Sequence, residues 1–422
     1  MTRVLLLSTT TGYQLRSFGE SARRLGIELL LATDRCHHLD DPWRDGAVPV
    51  RFYDDDASLR AIVDAARARP IDGVVAVGDR PAVLAAKTAA ALGVPGNPVA
   101  AADATRNKKT MRRMFAAAGM RVPWTFELHR GDHIPEAALR ASYPCVIKPL
   151  GLSGSRGVIR VNTPEEFLEA VERVRELLWR PTLRAQRSQA LDELLAEGYI
   201  DGREFALEGV LTGGVLRVFA IFEKPDPLEG PFFEETIYVT PPRIPAATAG
   251  AIETEVQRAC AALGLVHGPV HAECRVGPDG VAMLEVAARP IGGLCARVLR
   301  FRRGGEEAAL EEVLLRHATG QDISGYTTDP SAAGVMMIPI PHRGLYRGVR
   351  GETAARAVPR VEHLEITANR DQLLEPLPEG DSYLGFIFAR AESPDAAEHA
   401  LRDAHARLHF EIDRDLMVRA VP

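Results

Sequence analysis

Short apolar runs alternate with helical periodicity through the first hundred residues. Val4 to Leu7, Glu28 to Ala32 and Gly73 to Val77 read as strands, and helical patterns fall at about 14–25, 57–69 and 81–92. Such alternation predicts a parallel sheet covered by helices, a Rossmann-like domain. The breaker cluster Gly93-Val94-Pro95-Gly96-Asn97-Pro98 closes it, so a first domain of residues 1–98 is expected. Ala101 to Gly119 then reads as one helix, Tyr143 to Pro149 and Val158 to Val161 as paired strands, and Pro164 to Arg180 as a helix capped by Thr163. Leu183 to Ala196 also carries a helical period. From Glu204 the period drops to two. Glu204 to Leu211, Val215 to Phe222 and Phe232 to Val239 predict antiparallel strands, with a helix near Ala247 to Leu263. This middle region, residues 99–330, is α+β. Glu306 to Thr319 reads as helical. A third unit, residues 331–422, shows strands at Gly334 to Ile340, Val361 to Ile366 and Tyr383 to Ala389 and a helix at Ser393 to Leu408, and is expected to cap the middle domain.

The most informative pattern is Gly268 to Gly293, where runs around Val270–Val276 and Val281–Val286 flank Gly277-Pro278-Asp279-Gly280. This is hairpin chemistry. A Pro278-Asp279-Gly280 loop sets Gly277 against Val281, Arg275 against Met283 and Glu273 against Glu285. Like charges directly opposite across a strand pair are unfavourable, and folding alone does not call for them. Arg289 lies four residues past Glu285 on the same parity, with the small Ala287 between. Two readings follow: a magnesium–phosphate site with a cationic side chain beside it, or a solvated strand face on which Arg275 and Arg289 neutralise the glutamates.

A glycine-rich turn supplies a second candidate. The strand ending at Lys148 runs into Gly151-Leu152-Ser153-Gly154-Ser155-Arg156-Gly157, a flap whose N–H groups and hydroxyls suit phosphate, with Lys148 as a point charge. It is not a Walker loop, because no GxxxxGK[ST] is present and a strand follows. The first strand likewise leads into Thr9-Thr10-Thr11-Gly12-Tyr13 rather than GxGxxG, so Asp34 reads as a turn cap and not as a ribose ligand.

The whole chain of 422 residues, 46% apolar and 26% charged, can bury more than one core. A net charge of -6 argues against nucleic acid as a partner. Five scattered cysteines (Cys36, Cys145, Cys260, Cys274, Cys295) lack CxxC spacing, and no apolar run approaches a membrane span, so a cytoplasmic protein without membrane contact is expected.

Taken in order, the Rossmann-like start, the Lys108-to-Arg112 helix, VIKPLGLSGSRGV, EGYIDGREF, FFEETIYVTPP, HAEC and LEVAARPIGG resemble the ATP-grasp superfamily, and within it the bacterial L-amino-acid (dipeptide) ligases. The resemblance implies a fold in which ATP lies between two α+β subdomains and activates a carboxylate as an acyl phosphate, which an amine then attacks. By position it implies that Lys108 and Lys148 contact phosphates and that Ser153, Gly154, Ser155 and Gly157 close over them. Glu197, Gly198 and Ile200 would form the adenine hinge, and Glu204 would hold the ribose or the phosphate side of that hinge. Glu273 and Glu285 would bind Mg2+, one ion or two, with Mn2+ able to substitute. Arg289 would steady charge on the acyl phosphate. Glu235, Tyr238, Gly292 and Gly293 would line the pocket for small-molecule amino-acid substrates. Many superfamily members carry Asn where Ala287 stands, which puts the second metal in doubt. A homodimer would be unsurprising.

Two other functions fit parts of the sequence. A purine-pathway ligase or carboxylase would need a phosphate pocket for a phosphoribosyl substrate, for which Arg297, Arg300, Arg302 and Arg303 are candidates. A regulatory nucleotide binder would keep the fold without turnover.

Overall fold

The computed structural model describes residues 1–9, 14–34 and 47–414. Most of the Thr9–Tyr13 turn and Cys36 therefore lie outside the described residues. The N-terminal strands form a parallel sheet in the order Val48–Pro49, Glu28–Thr33, Arg3–Ser8, Gly73–Val77. Helices Leu15–Leu25, Asp55–Ala68 and Asp79–Leu92 cover it, as the apolar runs predict. The sheet is buried because Val4, Leu5, Leu6 and Leu7 are apolar on both faces.

The expected helix over 101–119 is two helices, Val99–Thr105 and Lys108–Ala117. Asn107 interrupts it by capping the second, accepting from the Thr110 N–H. That break aims Lys108 and Arg112 toward the middle of the molecule.

A small antiparallel sheet follows in the order Thr125–Leu128, Leu194–Gly198, Cys145–Pro149, Ile159–Val161. Here the helix expected at 183–196 is overturned. Only Pro181–Arg184 is α-helical, and Leu194–Gly198 is a central strand, buried along its whole length. An apolar run covered on both faces carries no period of two, so it reads like a buried helix.

The large sheet is antiparallel throughout, in the order Gly280–Ala287, Gly268–Gly277, Arg203–Thr212, Val215–Glu223, Ile237–Thr240, Ala332–Ile338, Gly385–Ala391, Val361–Ile366. Strands expected in a separate cap are thus continuous with the middle region through Ile237–Thr240 paired to Ala332–Ile338. Residues 306–319 also differ from expectation. Glu306–Ala309 pairs with Arg300–Arg303 as a hairpin, and the helix starts at Leu310.

Candidate active site

The two sheets and the N-terminal domain enclose one cavity of about 530 Å³. Of the residues singled out in the sequence, Lys108, Lys148, Ser153, Gly154, Ser155, Glu197, Gly198, Ile200, Glu204, Glu235, Tyr238, Glu273, Glu285, Arg289, Gly292 and Gly293 all line it. Gly157 closes the base of the flap just outside.

The hairpin brings Glu273 opposite Glu285, but by a different route from the one expected. The turn is two residues long, with Gly277 facing Gly280, so Arg275 faces Ala282 and Cys274 faces Met283. A bulge at Leu284 restores the parity. Its carbonyl, released from the ladder, accepts from Arg112 at 2.9 Å.

Neither arginine neutralises the glutamate pair in the way the solvated-face reading requires. Arg275 is buried and donates to Glu204 at 2.9 Å and to the Ile200 carbonyl at 2.8 Å. Arg289 makes a two-pronged contact with Asp79, at 2.7 and 3.2 Å. Asp79 opens helix Asp79–Leu92 of the first domain, where the helix N-terminus also favours a negative charge. Burial works against both charges, yet their pairing wins, holding Asp79 below and Arg289 above their ordinary ranges. Glu285 meets Lys108, 3.5 Å away. Glu273 meets Lys224 at 3.0 Å and the His271 ring at 3.5 Å.

Also at the cavity wall, Lys148 shares the Glu197 carboxylate with Arg112 behind it. All three are buried. Burial pushes Glu197 up, but the adjacent Arg112 and Lys148 charges outweigh it and bring it to about 2. Burial lowers Lys148 to about 8 against the pull of Glu197. Removing one partner from such a group typically costs about 3–5 kcal/mol. Gly198, next in the strand, must be glycine: a Cβ there would lie 2.8 Å from the Trp124 indole nitrogen.

The flap is held from an unexpected side. Gly157 N–H donates to the Pro378 carbonyl at 2.9 Å, and Arg156 reaches the Glu379 carbonyl and Asp381. Arg173 grips Glu379 with two nitrogens, and Arg180 pairs with Glu375. Lys108 donates to the flap carbonyl of Leu152 at 2.7 Å. Loop 375–381 of the C-terminal region therefore clasps the flap, with Asp381 and Tyr383 at the cavity wall. Substituting Arg156 and Arg173 with alanine should raise amide exchange across residues 151–157 in the free protein. Adding an ATP analogue should suppress much of that increase, because the flap N–H groups and hydroxyls gain phosphate partners. Unchanged exchange in the variant would remove the clasp from control of the flap.

Sequence reasoning missed Asp79, Arg112, Lys224 and the His271–Glu208 pair, bonded at 2.6 Å. Burial and the two carboxylates pull His271 in opposite directions, and Glu208 and Glu273 win, raising it to about 9. Spacing offers no signal for such partners. Only Lys224, in the loop after an alternating strand, could have been flagged as an isolated charge at a strand end.

The arginines proposed for a phosphoribosyl pocket do not converge. Arg297 pairs with Glu365, Arg300 with Glu362, Arg302 with Asp329, and Arg303 lies over the Tyr326 ring. None lines the cavity.

Residues 141–298 match the ATP-grasp domain model, residues 19–96 the ATP-grasp N-terminal domain, and residues 336–413 the L-amino acid ligase C-terminal domain 2. The chain is an ATP-grasp ligase. Its fold is similar to that of L-amino acid ligase from Bacillus licheniformis, with a TM-score of 0.81 and 27% identity, covering 98% of this chain and 99% of that one. It is 26% identical to alanine–anticapsin ligase of Bacillus subtilis over 49% of this chain and 46% of the relative, so the alignment spans about half of that enzyme. Phosphoribosylglycinamide synthetase from Anaerococcus prevotii shares the fold at a TM-score of 0.67 and 15% identity, covering 98% and 100% of the two chains. That likeness concerns architecture alone. Among the described residues, no helix of the ligase is long and apolar enough to cross a membrane.

Proposed function

We propose that the ligase joins two amino acids, or an amino acid and a related small molecule, through an amide bond, converting ATP to ADP and phosphate. The observation that carries this reading is that one cavity is lined by the Lys148–Glu197 group, the flap, the Glu273–Glu285 pair, and Glu235, Tyr238, Gly292 and Gly293. Its volume of about 530 Å³ has room for a nucleotide and a small acid together. Four described cysteines are free and buried, which suits the reducing cytoplasm as the place of action.

In this reading Gly198 and Ile200 present backbone groups to adenine, Glu204 stands at the ribose or phosphate side of that hinge, and Lys108 and Lys148 meet the phosphates. The flap N–H groups exclude water from the γ-phosphate. Glu273 and Glu285 suit a divalent cation: two carboxylates meet across adjacent strands, with Lys224 3.0 Å from one and Lys108 3.5 Å from the other. When bound, Mg2+ would neutralise the phosphate oxygens.

The substrate carboxylate attacks the γ-phosphorus, ADP leaves, and the amine nitrogen then attacks the acyl carbon and expels phosphate. Arg289, fixed by Asp79 at the cavity wall, stabilises the charge that grows on the acyl phosphate and the tetrahedral adduct. Glu235 and Tyr238, bonded to each other at 2.8 Å, form the amino-acid end. Burial raises Glu235 to about 7, against the pull of Lys224. A substrate ammonium would restore its charge.

The test is to incubate the ligase with ATP, Mg2+ and pairs of amino acids, measuring phosphate release and product mass. A product equal to the two substrates less one water is expected. Phosphate release that responds only to a phosphoribosyl amine would replace this reading with the purine-pathway one.

A further inference from the structure

Lys224 directly follows the strand Val215–Glu223 and is almost wholly buried, its side chain 2% exposed. Its ammonium lies 2.7 Å from Glu204, 2.5 Å from Glu235 and 3.0 Å from Glu273. These three carboxylates each offer an oxygen within 4.8 Å of the other two, a spacing that could hold a metal ion. Oxygen ligands around a small divalent ion at about 2.1 Å sit at comparable mutual distances. The ammonium fills that space instead, directing its three N–H donors at three acceptors. The Tyr238 ring closes the remaining side, 5.0 Å from the nitrogen.

The charges agree with this arrangement. Glu204 is additionally bound by Arg275. Arg275 and Lys224 set two positive charges against these carboxylates, and Glu273 also meets the His271 ring, so the side open to a further cation is the one where Glu273 faces Glu285. The hairpin offers little for a second ion there: the strand position beyond Val286 is Ala287, buried opposite His271 and without a ligand atom.

We infer that Lys224 is a built-in counter-cation that occupies a carboxylate cage otherwise fit for a divalent ion, so that the ligase works with a single divalent ion, held between Glu273 and Glu285. This rests on the reading of those two glutamates as metal ligands. The internal ammonium also holds Glu204, Glu235 and Glu273 together in a way that does not depend on metal concentration.

Mn2+ binding to the full-length protein, with a non-hydrolysable ATP analogue held equimolar, tests the inference by paramagnetic resonance and calorimetry. One Mn2+ per chain is expected for the wild type and two for Lys224→Met. The double variant Lys224→Met, Glu235→Gln should return to one, because the cage then loses a charged ligand. Two ions in the wild type, with dipolar coupling between neighbouring spins, would overturn the inference, and so would one ion in a folded Lys224→Met protein that still binds nucleotide. The wild-type count decides the matter even where the Lys224 variant fails to fold. No bound Mn2+ in the wild type would instead remove the Glu273–Glu285 assignment, and the inference with it.

Discussion

Replacing Arg289 with alanine should leave ATP affinity within about threefold while cutting phosphate release by roughly 100-fold or more, the usual scale for removing a preorganised donor. The arginine is buried, yet its partner is Asp79 from the first domain and not the metal-site candidates. Two of its nitrogens are thereby fixed, and the guanidinium plane is oriented before substrate arrives. Lysine should rescue only part of the rate, since a point charge cannot reproduce the fork. Asp79 complicates the alanine variant, because it is left partly buried without its partner. The control is Arg289→Ala with Asp79→Ala, which should regain stability and no activity. Nucleotide affinity, steady-state phosphate release and thermal unfolding on the variants separate these effects. A turnover change below about threefold in the alanine variant would take Arg289 out of the mechanism.

Replacing Glu285 with glutamine should abolish most metal-dependent turnover, by roughly 100-fold or more, with the fold intact. Glu285 keeps 24% of its side chain exposed and pairs with Lys108 at 3.5 Å. A partly exposed pair of that length contributes about 0–1 kcal/mol, so its loss should barely move the unfolding temperature. Glu197→Gln makes the contrast. It removes the charge that balances buried Arg112 and Lys148, and should destabilise the protein as well as weaken nucleotide binding. Phosphate release titrated with Mg2+, alongside thermal unfolding of both variants, checks the pair. Near-wild-type release from Glu285→Gln at saturating Mg2+ would end its role as a metal ligand.

Local pattern alone determined a good deal of this protein. The parallel N-terminal sheet followed from alternating apolar runs and helical periods, and the Glu273–Glu285 opposition followed from turn residues and strand parity. In that hairpin the expected register was off by one at Arg275, and the Leu284 bulge cancelled the error at the glutamates. The bulge has no signal in the hairpin itself, because its reason is Arg112, 172 positions away. The same limit explains what only the tertiary structure decided. Asp79 reaches Arg289 across 210 positions, Lys224 reaches Glu273 across 49, and Arg156 reaches Asp381 across 225. A buried ion pair is fixed by the absence of water around two side chains, and that absence is a property of packed sheets, not of either residue's neighbours in sequence. Hydrophobic period tells which face of a strand is covered, which is why the elements were legible. It cannot tell which strand covers it, so the C-terminal strands could be seen in the sequence while their place in the large sheet could not.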